Sequence, residues 1–115
     1  MTNKTRKALL KSIEHWRQNL DMLILNHLSG SNLCDDIVID RRGCALCFEF
    51  WTSDCKGCPI EDYFGSHQCD NDVYYEVDAW YNGFSGHTGF ESGYEAISGQ
   101  LELLYHLLYE GGACD

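Results

Sequence analysis

Residues 2–28 read TNKTRKALLKSIEHWRQNLDMLILNHL, and this stretch decides the fold class. Apolar side chains fall at Leu9, Ile13, Trp16, Leu20 and Leu23 or Ile24, then at His27 or Leu28. Spacings of three and four put them in one stripe along one face of a helix. Lys7, Lys11, Glu14, Arg17, Gln18 and Asp21 occupy the other faces, and Lys11 and Glu14 are close enough in register to pair weakly. Thr2 or Thr5 caps the start. Ser29-Gly30-Ser31-Asn32 stops the helix with glycine and small polar residues.

The other end of the chain carries a matching stripe. Over residues 92–110 it runs through Tyr94, Ile97, Leu101, Leu104 and Leu108, widened by Leu103, Tyr105 and Leu107, and Gly111-Gly112 ends it. Gly99 costs this helix about 1 kcal/mol relative to alanine, and is expected to admit a close approach of the first helix. Residues 71–82 predict a short helix with Val73, Val77 and Trp80 on one face and Tyr74 and Tyr81 beside it. The stretch from Gly83 to Gly93 holds four glycines and reads as a loop. Asp36-Ile37-Val38-Ile39-Asp40 is either a brief strand or an extended loop packed on the first helix.

Residues 43–70 hold the cysteine module. Its pattern is Cys44-x-x-Cys47, seven residues, Cys55-x-x-Cys58-Pro59, ten residues, Cys69. Each C-x-x-C unit makes a tight turn that aims two sulfurs at one point, and Gly57 suits such a turn. Four thiolates at about 2.3 Å satisfy tetrahedral zinc. Cys44, Cys47, Cys55 and Cys58 form the plain ligand set. Alternatively Cys69 replaces Cys55 or Cys58, or His67 or His15 enters as a nitrogen ligand. The bland reading of each cysteine is a small buried hydrophobe. Cys34 and Cys114 lie outside the pattern and read as free thiols. The chemical alternative to zinc is an iron–sulfur cluster, since Cys58-Pro59 echoes the end of ferredoxin-type runs, although the series of cysteines three apart is missing.

Composition bounds the rest. The chain has 115 residues, which is one domain, and 44% of them are hydrophobic, enough for a modest core. Charges are spread through the first residues, unlike a signal peptide. No apolar run approaches the roughly 20 residues that span a bilayer. A cytoplasmic location is expected, and there an odd count of 7 cysteines points to metal rather than disulfides. The formal charge is −10. All eight Lys and Arg lie at or before Lys56, while the last 59 residues carry eleven Asp or Glu. Four thiolates around Zn²⁺ would take the total to about −12. Such a surface repels nucleic-acid phosphates and steers toward basic proteins, although many acidic proteins simply use the charge for solubility.

Other candidate chemistry is sparser. His15, beside Trp16, is either a metal partner or an ordinary half-buried histidine. His87 sits in a glycine loop that has no lysine and acidic surroundings, which argues against phosphate binding. Glu61, Asp62, Asp70 and Asp72 read as solvated surface or a cation site. Tyr63, Phe64, Tyr74, Tyr75, Trp80, Tyr81, Phe84, Phe90 and Tyr94 are dense enough to build a core and leave a remainder exposed. An exposed remainder among acidic residues makes a protein-binding surface.

The run Ala8-Leu9-Leu10-Lys11-Ser12-Ile13-Glu14-His15-Trp16, then Cys44-x-x-Cys47, Asp54-Cys55-Lys56-Gly57-Cys58-Pro59-Ile60 and Cys69, and a final leucine-rich helix, resembles a group of small phage-encoded proteins. The resemblance covers most of the chain but departs from the group in the Gly83–Gly93 loop and in the acidity of the second half. It implies a phage or prophage origin and metal binding, and points to His15, Cys44, Cys47, Cys55, Cys58 and Cys69. It implies no activity.

The expectation is a mostly α fold: two long terminal helices packed antiparallel around a small zinc-binding cysteine module, with short irregular or strand segments, in one domain over residues 1–115. The expected function is that of a non-enzymatic zinc-binding accessory protein in the host cytoplasm. It would bind and inhibit a host protein with a basic surface, such as a nucleic-acid-binding defence effector of the CRISPR type. No nucleic acid or membrane is expected to bind directly. The alternatives are an iron–sulfur or redox protein, and a zinc-finger-like nucleic-acid-binding regulator that uses Lys4, Arg6, Lys7, Lys11 and Arg17.

Overall fold

The computed structural model of the chain describes residues 2–39 and 72–110. These residues are mostly helical: α1 spans Asn3–Ser29, α2 Asp72–Tyr81 and α3 Phe90–Glu110, with no strand among the described residues. The cysteine module of residues 43–70 lies outside them.

Helix α1 starts where a side chain supplies the missing acceptor. Thr2 is the N-cap, and the Thr5 amide donates to its Oγ1 at 3.1 Å. The helix stops on Gly30, whose φ of 73° is left-handed. The Ser31 amide then donates to the Asn26 carbonyl at 3.0 Å and the Gly30 amide to that of His27 at 3.4 Å. These two bonds satisfy carbonyls that the helix end would orphan. Helix α2 ends in the same way, with Phe84 N–H donating to Ala79 and Gly83 N–H to Trp80, at 2.9 and 3.1 Å.

Helix α3 packs against both α1 and α2. Leu9, Leu23, Val77, Ile97 and Leu104 are fully buried at the centre of one core, with Ile13, Trp16, Trp80, Leu101 and Leu107 around them. Helix α3 begins at Phe90, two residues before the expected start, so the loop ends at Gly89 rather than Gly93. The His27 and Phe90 rings stack at 4.1 Å, which joins the end of α1 to the start of α3.

Two parts of the expected stripes differ. Toward the end of α1 the buried face takes Leu23 of the expected pair and Leu20 packs partly buried against the core, but the face then follows Asn19 and Asn26 rather than His27 or Leu28, and Leu28 is 78% exposed. Ser12, Asn19 and Asn26 recur every seven residues and are all buried. A seven-residue repeat drifts slowly around a helix, so one polar line can face inward along the whole length. Apolar periodicity alone overlooks it. In α3, Tyr94 points to solvent while Leu103 and Leu107 are buried.

That polar line holds the returning chain. Asn26 Nδ2 donates to the carbonyls of Leu33 and Asp35, at 3.1 and 2.8 Å. Asn19 Nδ2 donates to the Val38 carbonyl at 2.9 Å, and the Val38 amide donates back to Asn19 Oδ1 at 3.4 Å. The asparagine amides thus occupy the place of a neighbouring strand. Residues 37–39 form no strand, and their Ile37 and Ile39 side chains enter the core. On the far side, Tyr74 Oη donates to the Ile39 carbonyl at 3.1 Å, tying the segment to α2.

Helices α2 and α3 meet through Trp80. Its Nε1 donates to the Gly89 carbonyl at 3.0 Å, and its ring lies on Gly93. A Cβ on Gly93 would stand 2.4 Å from a ring carbon, whereas one on Gly99 would meet only Val73 Cγ1 at 3.9 Å. The close approach therefore falls at Gly93 toward α2, and not at Gly99 toward α1. Gly93→Ala is expected to destabilise the chain by about 1–3 kcal/mol through overpacking. Gly99→Ala is expected to stabilise it by about 1 kcal/mol through helix propensity. Urea unfolding of the two variants beside the parent checks the opposite signs. Asn26→Ala frees two carbonyls and is expected to cost about 1–3 kcal/mol in the same assay.

Candidate functional site

The expected metal ligands Cys44, Cys47, Cys55, Cys58 and Cys69 lie outside the described residues, as do His67 and Cys114. Among the described residues no group of three or more His, Cys, Asp or Glu is arranged to hold a metal ion. Of the candidate ligands, the structure places His15.

His15 is half-buried on α1, one turn before Asn19. Its Nε2 lies 2.7 Å from the Val38 carbonyl oxygen. A carbonyl only accepts, so Nε2 carries a proton. Asn19 Nδ2, 3.4 Å from the same Nε2, is a second donor converging on that oxygen and not a partner of the ring. The ring also meets Trp16 edge-on, with centroids 5.8 Å apart. In this position His15 clamps the returning segment, and its Nδ1 accepts no hydrogen bond from the described residues.

Cys34, in the turn that follows α1, is half-buried. Its Sγ lies 3.9 Å from the Tyr81 carbonyl, toward which the thiol donates, and its amide donates to Asn32 Oδ1 at 2.9 Å. Burial, and secondarily the carboxylate of Asp35, pushes its pKa up. A raised pKa lowers the thiolate fraction, so the free thiol of Cys34 is a weaker nucleophile than an exposed cysteine.

A cleft of about 490 Å³ opens between α2, the loop 82–89 and the start of α3. Val73, Trp80 and Ala96 line its floor, and Glu76, His87 and Glu95 stand around it. His87 Nδ1 is 3.3 Å from Glu76 Oε2, and Tyr75 meets the His87 ring edge-on at 6.2 Å. The loop holds this shape through Gly83, Gly86 and Gly89, all at positive φ. Sequence reading placed His87 in an unusual glycine loop. It did not place Glu76 beside it, because the pair lies eleven residues apart and closes only when α2 ends and the chain reverses.

Among the described residues the dense aromatic set divides between core and surface. Trp80 is buried, while Tyr75, Tyr81, Phe84 and Tyr94 are 39–49% exposed and Tyr109 is 74% exposed. Glu76, Glu91, Glu95, Glu102 and Glu110 are exposed on the same two helices. No helix among the described residues is long and apolar enough to cross a membrane. No protein family, curated protein or solved structure matches the chain.

Alkylation followed by peptide mapping tests the thiol assignment. At mildly alkaline pH, Cys34 is expected to react more slowly in the native chain than in the unfolded chain. Asp35→Asn should speed the reaction only slightly, because burial is the larger cause.

Proposed function

We propose that this chain is a small, acidic, zinc-stapled accessory protein of phage origin that binds a host protein through its lysine-free half and inhibits it. The observation that carries the reading is the exposed aromatic set on α2, α3 and the loop between them, interleaved with carboxylates. Tyr75, Phe84 and Tyr94 are each close to half exposed. Beyond Lys56 the sequence offers no lysine or arginine to neutralise the surrounding acids. Aromatic rings supply contact area at low entropic cost, and the carboxylates select a basic partner and speed encounter with it.

A protein that holds nucleic acid in a basic channel meets both requirements. The inhibitor would occupy that channel as a phosphate-like surface, and a host defence effector such as a CRISPR complex is the sharpest form of the proposal. The supporting frame is an antiparallel pair of α1 and α3, consistent with the stack of His27 at the end of one on Phe90 at the start of the other. The spacing of Cys44, Cys47, Cys55, Cys58 and Cys69 supports zinc as the staple between the halves. A four-cysteine zinc site has no open coordination position, so the metal would fold the chain and catalyse nothing.

Capture from host lysate tests the proposal. The chain should retain a basic nucleic-acid-binding protein, free nucleic acid should compete, and retention should fall steeply with salt. Replacing Tyr75 and Phe84 together by alanine should weaken retention about tenfold. Retention that ignores both salt and these two substitutions would overturn the proposal, as would retention of nothing.

A further inference from the structure

We infer that the cleft between α2 and α3 receives an arginine side chain of the partner protein. The inference deepens the proposed function and rests on it for the partner's basic character.

The cleft combines two chemistries that a single cationic side chain also combines. Its floor is apolar: Val73, Ala96 and the Trp80 ring, which is only 4% exposed and is fixed by its bond to Gly89 and its seat on Gly93. Its rim is anionic, with Glu76 on α2 and Glu95 on α3. A long methylene stem lying on the floor while its charged head reaches the rim satisfies both at once. The volume of about 490 Å³ exceeds what one side chain fills, leaving room for hydration water around the head.

Arginine fits better than lysine because the two carboxylates stand on different helices. A guanidinium fork presents five N–H groups in one plane and can bridge acceptors in separate directions. A compact ammonium is more strongly hydrated and lacks that reach. Glu76 is already oriented, since its Oε2 stands 3.3 Å from His87 Nδ1. The His87 ring is in turn met edge-on by Tyr75, which is 49% exposed and adjoins the cleft through His87. The exposed aromatic surface thus adjoins the cleft, as expected when one partner covers both.

The test is a titration of the full-length protein, followed by NMR, with a capped Ala-Arg-Ala peptide, its citrulline counterpart and spermidine. The arginine peptide should shift the Trp80 indole and His87 ring signals along a saturating curve, and the neutral citrulline peptide should not. Glu76→Gln combined with Glu95→Gln should weaken the arginine peptide about tenfold, with the circular dichroism unchanged. Glu102→Gln, on α3 outside the cleft, should leave it as in the parent. Equal response to citrulline, absence of response, or equal loss with Glu102→Gln would overturn the assignment. Tighter binding of spermidine at the same signals would overturn it in favour of a free polyamine site. If the titration fails while capture of a basic protein persists, the arginine cleft is wrong and the proposed function stands. If capture also fails, both fall.

Discussion

The structure depends on a line of polar side chains buried in α1. Ser12, Asn19 and Asn26 face inward at 1%, 3% and 5% exposure, where apolar residues would ordinarily pack. Burying an unpaired carboxamide costs more than its hydrogen bonds return, so each asparagine must find partners that are also buried or half-buried. Residues 33–39 supply them with backbone carbonyls and the Val38 amide. Exchange is reciprocal: the segment needs partners for its backbone, and the helix needs partners for its amides. The chain is thereby turned back along α1 without a sheet, and Ile37 and Ile39 are delivered to the core. Asp36, in the turn before them, takes a left-handed φ of 61°, which a short polar residue tolerates.

The second constraint is the seat of Trp80 on Gly93. Because the ring takes the space of a side chain on α3, α2 and α3 approach closely at that point. The Gly89 carbonyl accepts both the indole proton and the Gly93 amide, at 3.0 and 3.2 Å. The loop between the helices is consequently short and rich in positive-φ glycines, and it carries His87 to Glu76. The cleft lies beside this contact, between α2, the loop and α3. Burying the largest aromatic of α2 leaves Tyr75 and Tyr81 on its outer side, where they join the acidic surface.

The helices were legible in the sequence because apolar spacing reports a helix face directly. The first helix was placed to within a residue, and so was the short one, whose Val77 and Trp80 are buried as expected. The polar line was not legible, since Asn19 and Asn26 look like surface residues until their backbone partners are known. The Asp36–Asp40 stretch has the composition of a strand, but over its described residues, 36–39, the side-chain amide of Asn19 stands where a neighbouring strand would pair. Gly93 and Gly99 are equivalent in sequence; what separates them is a ring contributed by another helix. The Glu76–His87 pair was hidden for a similar reason, since the turn that closes it is set by positive-φ glycines at 83, 86 and 89 rather than by spacing.

The proposed zinc site adds a third constraint to these two. The cysteines fall in the stretch that connects the segment clamped by α1 to the start of α2. Closing a connection of that length carries an entropic cost, and a metal held by four of its residues would offset it. Protein purified without a metal-binding tag, assayed for metals by elemental analysis and followed by circular dichroism before and after chelation, tests this most directly. The account predicts one zinc per chain and a loss of helix when it is removed. Iron in its place, or no metal with the helices intact, would contradict it.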